Sequence, residues 1–243
     1  MSSTKLRWTY RTRRSTVPSS ARCVVGEADL MKLYPRTRRP IDGRARTVTD
    51  RDRARSREFG SDYFDGDRMH GYGGYYYHPR FWTDTVRYFR DYYQLAEDAA
   101  VLDVGCAKGF MLHDLKLLMP KLKIAGLDIS QYAYDHAMPD VKPFITIGDC
   151  KELSYSDKSF DLVISINTVH NLPLDECKQA IREIQRVSRS HSFIMVDAWR
   201  TEEERERLEK WVVTCLTAMH VDGWKRLFEE VGYTGDYYWF IAE

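Results

Sequence analysis

What the chain has little of sets the first limits. It holds five cysteines in 243 residues, Cys23, Cys106, Cys150, Cys177 and Cys215, an odd number with no CxxC pair and no histidine at zinc spacing. Neither a disulfide nor a zinc framework is expected, and scattered free thiols suit a reducing compartment. Long apolar runs are missing too: stretches such as Phe193–Val196 and Leu162–Ile166 fall far short of the roughly 18 residues of a membrane span. The N-terminus lacks the apolar core of a secretory signal, so the expected location is cytoplasmic, with no membrane partner.

Net charge is almost absent, +1 from 37 Lys plus Arg against 36 Asp plus Glu, but it is unevenly spread. Residues 1–58 hold 14 Arg and 2 Lys against 6 acids, a charge of +10, which leaves about −9 on the remainder. Such a leader reads as a nucleic-acid or membrane arm, a transit peptide, or a solvated and largely disordered tail, the last being the simplest. A compositional change at Met31 also allows residues 1–30 to be an upstream addition to a chain starting there. The acidic body argues against nucleic acid as main partner, because phosphate contacts need Lys and Arg on the folded face.

What is abundant comes next in the chain. Phe59–Tyr93 packs 13 aromatics and five glycines into 35 residues, more rings than a plain core needs. Tyr and Trp line pockets well, with a flat apolar body and a polar tip, and Gly71, Gly73 and Gly74 let a cover bend. The expectation is a lid over Tyr72–Tyr77, with Tyr72, Tyr75, Tyr76 and His78 facing cofactor or substrate. Phe81, Trp82 and Tyr88 are expected to pack a helix on a sheet. Residues 50–59 predict a short exposed helix capped by Asp50.

From Ala99 the hydrophobic period alternates between strand and helix, the pattern of βαβ units and a parallel sheet. Strands are predicted at 100–104, 123–128, 143–147, 160–166, 193–197 and 236–242, with helices at 110–118, 131–137, 174–187, 201–219 and 222–231. The fold class is therefore α/β, a Rossmann-like three-layer sandwich with a mostly parallel central sheet. The expected organisation is a basic extension (1–58), an aromatic and glycine-rich cap (59–98) and a catalytic domain (99–243).

The motif with most chemical content is Val101-Leu102-Asp103-Val104-Gly105-Cys106-Ala107-Lys108-Gly109-Phe110, a strand running into a glycine loop that opens a helix. Such a loop approaches a ligand closely, and the helix N-terminus favours an anionic group. The second strand ends in Gly126-Leu127-Asp128, an acid 19 residues beyond Gly109, where a ribose diol is gripped. A dinucleotide-binding dehydrogenase shares these parts, although the stricter GxGxxG fingerprint is not met.

With these residues the chain resembles the class I S-adenosylmethionine-dependent methyltransferases, in particular the branch known as methyltransferase type 11. The likeness covers about residues 98–200. It takes in the first motif, with Ala107 where the family usually has glycine, then Asp128, then Gly148-Asp149-Cys150, and finally Ser159–Ser165 with Ala180–Val187. Arg189-Ser190-His191-Ser192 replaces the usual Lys-Pro-Gly-Gly turn, and a single strand after the last helix suggests that the terminal hairpin is missing. The resemblance implies S-adenosylmethionine as cofactor, with Asp128 on the ribose, Asp149 on the adenine amine and the Gly105 backbone at the methionine end. Asp103, Cys106, Ala107, Gly109, Ile129, Cys150 and Asn167 complete the expected cofactor set.

Methyl transfer from a sulfonium is an in-line displacement, so alignment and exclusion of water come first and a base is needed only when the acceptor must lose a proton. Open α/β sheets bind ligands at the carboxyl ends of their strands. There His170, in Asn167-Thr168-Val169-His170-Asn171, is the first candidate base and Asp197, closing the fifth strand, the second. Arg200 suits an acceptor carboxylate or phosphate, Trp199 is placed to touch substrate, and Trp211 reads as core. The sequence thus points to a metal-independent methyltransferase acting on an oxygen or nitrogen of a small metabolite. The alternatives are an RNA or protein methyltransferase using the basic arm, and a non-catalytic cofactor-binding module.

Overall fold

The alternating periods become a layered α/β body. A computed structural model describes residues 26–36 and 41–243; Cys23 and half of the basic leader lie outside the described residues. Strands β1 (Ala100–Val104), β2 (Lys123–Asp128), β3 (Ile145–Ile147), β4 (Phe160–Ile166) and β5 (Ser188–Trp199) run in the order β3-β2-β1-β4-β5, every pair parallel. Two more strands join β5, both parallel to it: β6 (Met219–His220) at Ala198 and Trp199, and β7 (Asp236–Phe240) along Phe193–Asp197. The mostly parallel seven-stranded sheet is the expected fold class.

Side-chain alternation divides the core. Val101, Leu162, Ile164 and Phe193 meet α4 (Pro79–Tyr93) and α5 (Phe110–Leu118) on one face. Leu102, Val163, Ile194 and Val196 meet α7 (Leu174–Val187) and α9 (Val221–Glu230) on the other. Successive residues of a strand point to opposite faces, so continuous apolar runs are what a sheet covered on both sides requires. The rings of Phe89 and Phe193 meet edge to face at 5.3 Å, joining α4 to β5. Helix α4 is thus part of the three-layer body, not of the cap.

Other expectations are corrected. Residues 41–47 fold into α1 (Ile41–Thr47) where a solvated tail was expected, α2 (Asp50–Ser56) lies within the short helix expected over 50–59, and Leu30 is fully buried. Thr49, not Asp50, caps α2, in a reciprocal capping box with Asp52. The helix predicted over 201–219 is α8 (Glu202–Trp211), closed after three turns; residues 212–218 are irregular. Among the described residues no strand follows β7, whose outer side is bonded by residues 26–28: Ala28 N–H donates to Tyr237 O (2.9 Å) and Tyr237 N–H to Gly26 O (3.0 Å). A sheet edge is covered there by the chain's own N-terminal segment. No helix among the described residues is long and apolar enough to cross a membrane.

Candidate active site

The glycine loop at the end of β1 is fixed by backbone bonds to β2. Gly105 and Cys106 both donate N–H to Leu127 O, at 2.7 and 3.1 Å. Gly105 has φ of +82°, and a Cβ there would lie 2.0 Å from Thr168 Oγ1, so the position admits no side chain. Ala107 adopts the same left-handed region at φ +48° although it has a Cβ. Its N–H donates to Asp128 Oδ2 at 2.7 Å, while Ser130 N–H holds Oδ1 at 2.9 Å. One carboxylate thus adds to the backbone bonds that join the ends of these two paired strands.

Burial dominates the titration of this half. It raises Asp128, against the backbone N–H groups of Ser130, Ala107 and Ile129 that favour its charge. Asp103, buried beside Asp128, is pushed up to about 7 by burial and then by that neighbour. Ile129 follows with a 55% exposed side chain, an apolar surface at the carboxyl edge of β2. Asp149 lies half-buried after β3 and is held by Lys151 Nζ at 3.3 Å, which also pairs with Glu176 at 2.5 Å. Cys150 differs from expectation: it is buried in the core under α7, its thiol pushed up to about 12 by burial and by Asp149.

A cavity of about 970 Å³ opens at this end of the sheet. Its floor includes Asp103, Gly105, Cys106 and Ala107, and its walls Asn167, His170 and Asp197. Asn167 has φ of +53°, and its buried Oδ1 accepts no hydrogen bond, so the wall presents an unused acceptor. Gly109, Asp128, Ile129, Asp149 and Cys150 are not among the lining residues; the strand-end acids flank the cavity instead of facing it.

His170 does not have the geometry of a base. It is 3% exposed, and its Nδ1 accepts the backbone N–H of Asp197 at 2.8 Å. The proton of the neutral ring therefore sits on Nε2, 3.6 Å from Asp197 Oδ2. No lone pair is left for a substrate proton, and burial lowers the pKa against the pull of Asp197. The ring instead positions Asp197, whose carboxylate lines the cavity. Cys215 completes a trio with ligating atoms within 4.8 Å of one another. Burial and then Asp197 push its thiol far above its ordinary value, so it stays protonated.

The aromatic segment lines part of the cavity, through Tyr63 of α3 (Ser61–Phe64) and the loop after it. Phe64 stacks on Tyr72 and Tyr132 and meets Tyr75, which stacks on Phe110 with centroids 4.8 Å apart. Tyr72 and Tyr75 line the cavity; Tyr76 also reaches its rim but is 73% exposed. His78 lies at the same rim and caps α4, accepting Arg80 N–H at 3.2 Å. Arg200, expected to face an acidic acceptor, pairs with Glu27 at 3.2 Å. Trp199 packs in a small cluster with Ile41, Leu208 and Trp211, away from the lining.

Sequence reasoning missed the groups that fasten this cover. Lys108, inside the glycine loop, is buried and grips both oxygens of Asp65 (2.9 and 2.6 Å) and Tyr75 O. Tyr132 donates its hydroxyl to Asp65 at 2.8 Å, and Ser130 donates its own to Phe59 O at 2.5 Å. Tyr63 faces the cavity, and burial raises its pKa while Tyr72 and Thr214 hydrogen-bond it. Arg44 of α1 reaches the same wall and lies 4.4 Å over the Trp211 ring, so Trp211 is wall as well as core. A lysine between two motif glycines was the one available signal; Arg44 was hidden among fourteen arginines of the leader.

Comparison with known proteins agrees with this geometry. Residues 101–191 match the family model described as a methyltransferase domain. Over 132 residues the chain is 31% identical to the tRNA (carboxymethyluridine(34)-5-O)-methyltransferase of Arabidopsis thaliana, covering 54% of this chain and 31% of that protein. Over 115 residues it is 26% identical to the malonyl-[acyl-carrier protein] O-methyltransferase of Legionella pneumophila, covering 46% and 40%. A Bacillus halodurans structure assigned to the methyltransferases shares the fold at TM-score 0.50 and 16% identity, over 60% of this chain and 68% of that one. The chain spans between 31% and 59% of the length of the curated relatives it matches. The stretch that matches a methyltransferase-domain model, residues 101–191, is the one that carries the glycine loop and the acids Asp103, Asp128 and Asp149, and the parallel sheet is the fold shared with methyltransferase structures.

Proposed function

We propose that the protein transfers a methyl group from S-adenosylmethionine to an oxygen or nitrogen of a small acceptor bound in the 970 Å³ cavity. The observation that carries this is the glycine loop, with Asp103, Gly105 and Ala107 lining a cavity that Tyr72 and Tyr75 also line and Asp128 held on Ala107 N–H at its flank. The residues present fit that cofactor: a loop where Gly105 leaves no room for a Cβ, the exposed Ile129 between the acids Asp128 and Asp149, and the unused Asn167 acceptor. Asp128 and Asp149 would hold the nucleoside, with the Gly105 backbone and Asn167 toward the amino-acid end. When bound, the cofactor supplies an electrophilic methyl on sulfur.

The rest of the work falls to the chain. Tyr75, stacked on Phe110 and tied through its carbonyl to Lys108, keeps water from the floor and narrows the approach of the acceptor. Asp197 is the carboxylate placed to take a proton, and His170 orients it through its backbone N–H. A second reading, transfer to an RNA, has the tRNA-directed Arabidopsis relative in its favour, so nucleic acid stays among the partner classes under test. Calorimetric titration of the full chain with S-adenosylmethionine, S-adenosylhomocysteine and NAD should give micromolar binding of the first two alone. NAD binding, or none, overturns the transferase reading. Activity on RNA that collapses between about 50 and 200 mM salt would select the polymer acceptor.

A further inference from the structure

Buried arginines in a globular wall are ordinarily met by a carboxylate, since a lone charge out of water is costly. Arg44 is not. It is 9% exposed and lines the cavity, and among the described residues no Asp or Glu lies in ion-pair range of it. Its guanidinium donates to three backbone carbonyls: Nη1 to Trp211 O (3.2 Å), and Nη2 to Arg68 O (2.7 Å) and Gly71 O (2.9 Å). Its Nε–H is buried with no acceptor. The three carbonyls fix the group in place, and none of them neutralises it.

Its neighbours add to the imbalance. Burial, then Arg68, lower the Arg44 pKa to about 10, and Arg53 acts in the same direction; Tyr63 alone opposes them. Arg68 donates to Tyr72 O and also lines the cavity, while Arg53 donates to Val212 O and Glu209 O. Neither has a carboxylate partner among the described residues. Two cations, Arg44 and Arg68, therefore line the cavity between α1, the 68–71 loop and the 211–214 segment, with Arg53 outside the lining. Asp103, Gly105 and Asp197 line the same cavity as Arg44 and Arg68. Tyr63 lines it too, and its ring raises the Arg44 pKa against burial and Arg68.

We propose that Arg44, with Arg68, is the recognition site for an acidic group of the methyl acceptor, a carboxylate or phosphate, which anchors it so that its reacting atom points past Tyr63 toward Asp197 and the floor. This names the acceptor class and rests on the methyltransferase reading above. It also gives the acceptor a direction, acid outward and nucleophile inward. An Arg held by backbone carbonyls keeps its orientation before the ligand arrives, which lowers the ordering cost of binding.

The test is thermal-shift and calorimetric titration of the full chain, with and without S-adenosylhomocysteine, using malonate, phosphate and the neutral malonamide as probes. Malonate or phosphate should bind and raise Tm, malonamide should not, and the stronger of the two acids names the group. Arg44→Gln should weaken the acid probe at least 10-fold and leave S-adenosylhomocysteine affinity within 2-fold. Arg68→Gln, at a more exposed position, should weaken the acid probe about 3-fold and carries the test should Arg44→Gln fail to fold. Two results overturn the proposal: no acid probe binds, or the variants lose S-adenosylhomocysteine affinity instead, which would assign Arg44 to the cofactor's own carboxylate. Acid binding without S-adenosylhomocysteine binding would leave this site standing and sink the methyltransferase reading.

Discussion

Around Gly105 the chain places its polar groups through short loops between adjacent strands: Gly105, Cys106 and Ala107 all bond to the end of β2. Around Arg44 it does so by reaching across the fold, to Trp211 O, 167 residues away, and to the 68–71 loop. The first arrangement depends on backbone conformations that few residues adopt, so it leaves a readable motif. The second depends on where distant segments dock, and any arginine of the leader could have supplied the group. The floor is thus rigid by local geometry, and the cap by a few long-range polar contacts, of which Lys108 to Asp65 is the most buried ion pair.

Breaking the floor should have the largest effect. Gly105→Ala combines a left-handed backbone with a clash on Thr168 and is expected to cost about 3 to 5 kcal/mol in urea denaturation. A loss under about 1 kcal/mol would mean that Thr168 yields and the loop is not rigid. The cap comes next. Lys108→Met leaves Asp65 with only Tyr132 and the Tyr75 N–H and should cost about 3 kcal/mol, with faster proteolysis between α3 and α4. Adding Asp65→Asn should recover most of it; no recovery would assign Lys108 a role other than pinning the cap.

The smallest effects are pH slopes of opposite sign. Asp103 holds its proton more tightly folded, at about 7, than unfolded, at about 3.9, so its contribution is present at low pH and is lost as pH rises from about 4 to 7. His170 holds its proton less tightly folded than the roughly 6.5 of the unfolded chain, so it lowers stability as pH falls below that value. Denaturation from pH 5 to 8 should show Asp103→Asn removing the first slope and His170→Gln the second. An unchanged slope in His170→Gln would show that burial does not lower the ring's pKa, and a slope change of the opposite sign would show a ring held charged in the fold, contrary to the bond it accepts from Asp197.

Much of the floor was legible because glycine loops and strand-end acids are tied to sequence spacing. Strands β1, β2 and β4 and helices α5 and α7 fall where the hydrophobic period places them. The 201–219 helix was overextended: its apolar residues continue past Trp211, but Val213, Thr214 and Thr217 are buried in irregular backbone, with Leu216 and Thr217 N–H bonded to His170 O. Spacing identified His170 as a residue of the site and could not say which of its nitrogens was free. That depends on a backbone N–H 27 residues away.

The parallel sheet, the loop at Gly105 and the acids at Asp103, Asp128 and Asp149 are written into local periodicity or into a backbone angle that constrains residue type. That Lys108 pins the cap, that His170 orients Asp197 and that Arg44 stands uncompensated in the cavity wall follow from the packing of distant segments. Charge pairing, burial and hydrogen-bond direction are properties of what surrounds a side chain, and for these three residues the surroundings come from distant parts of the chain.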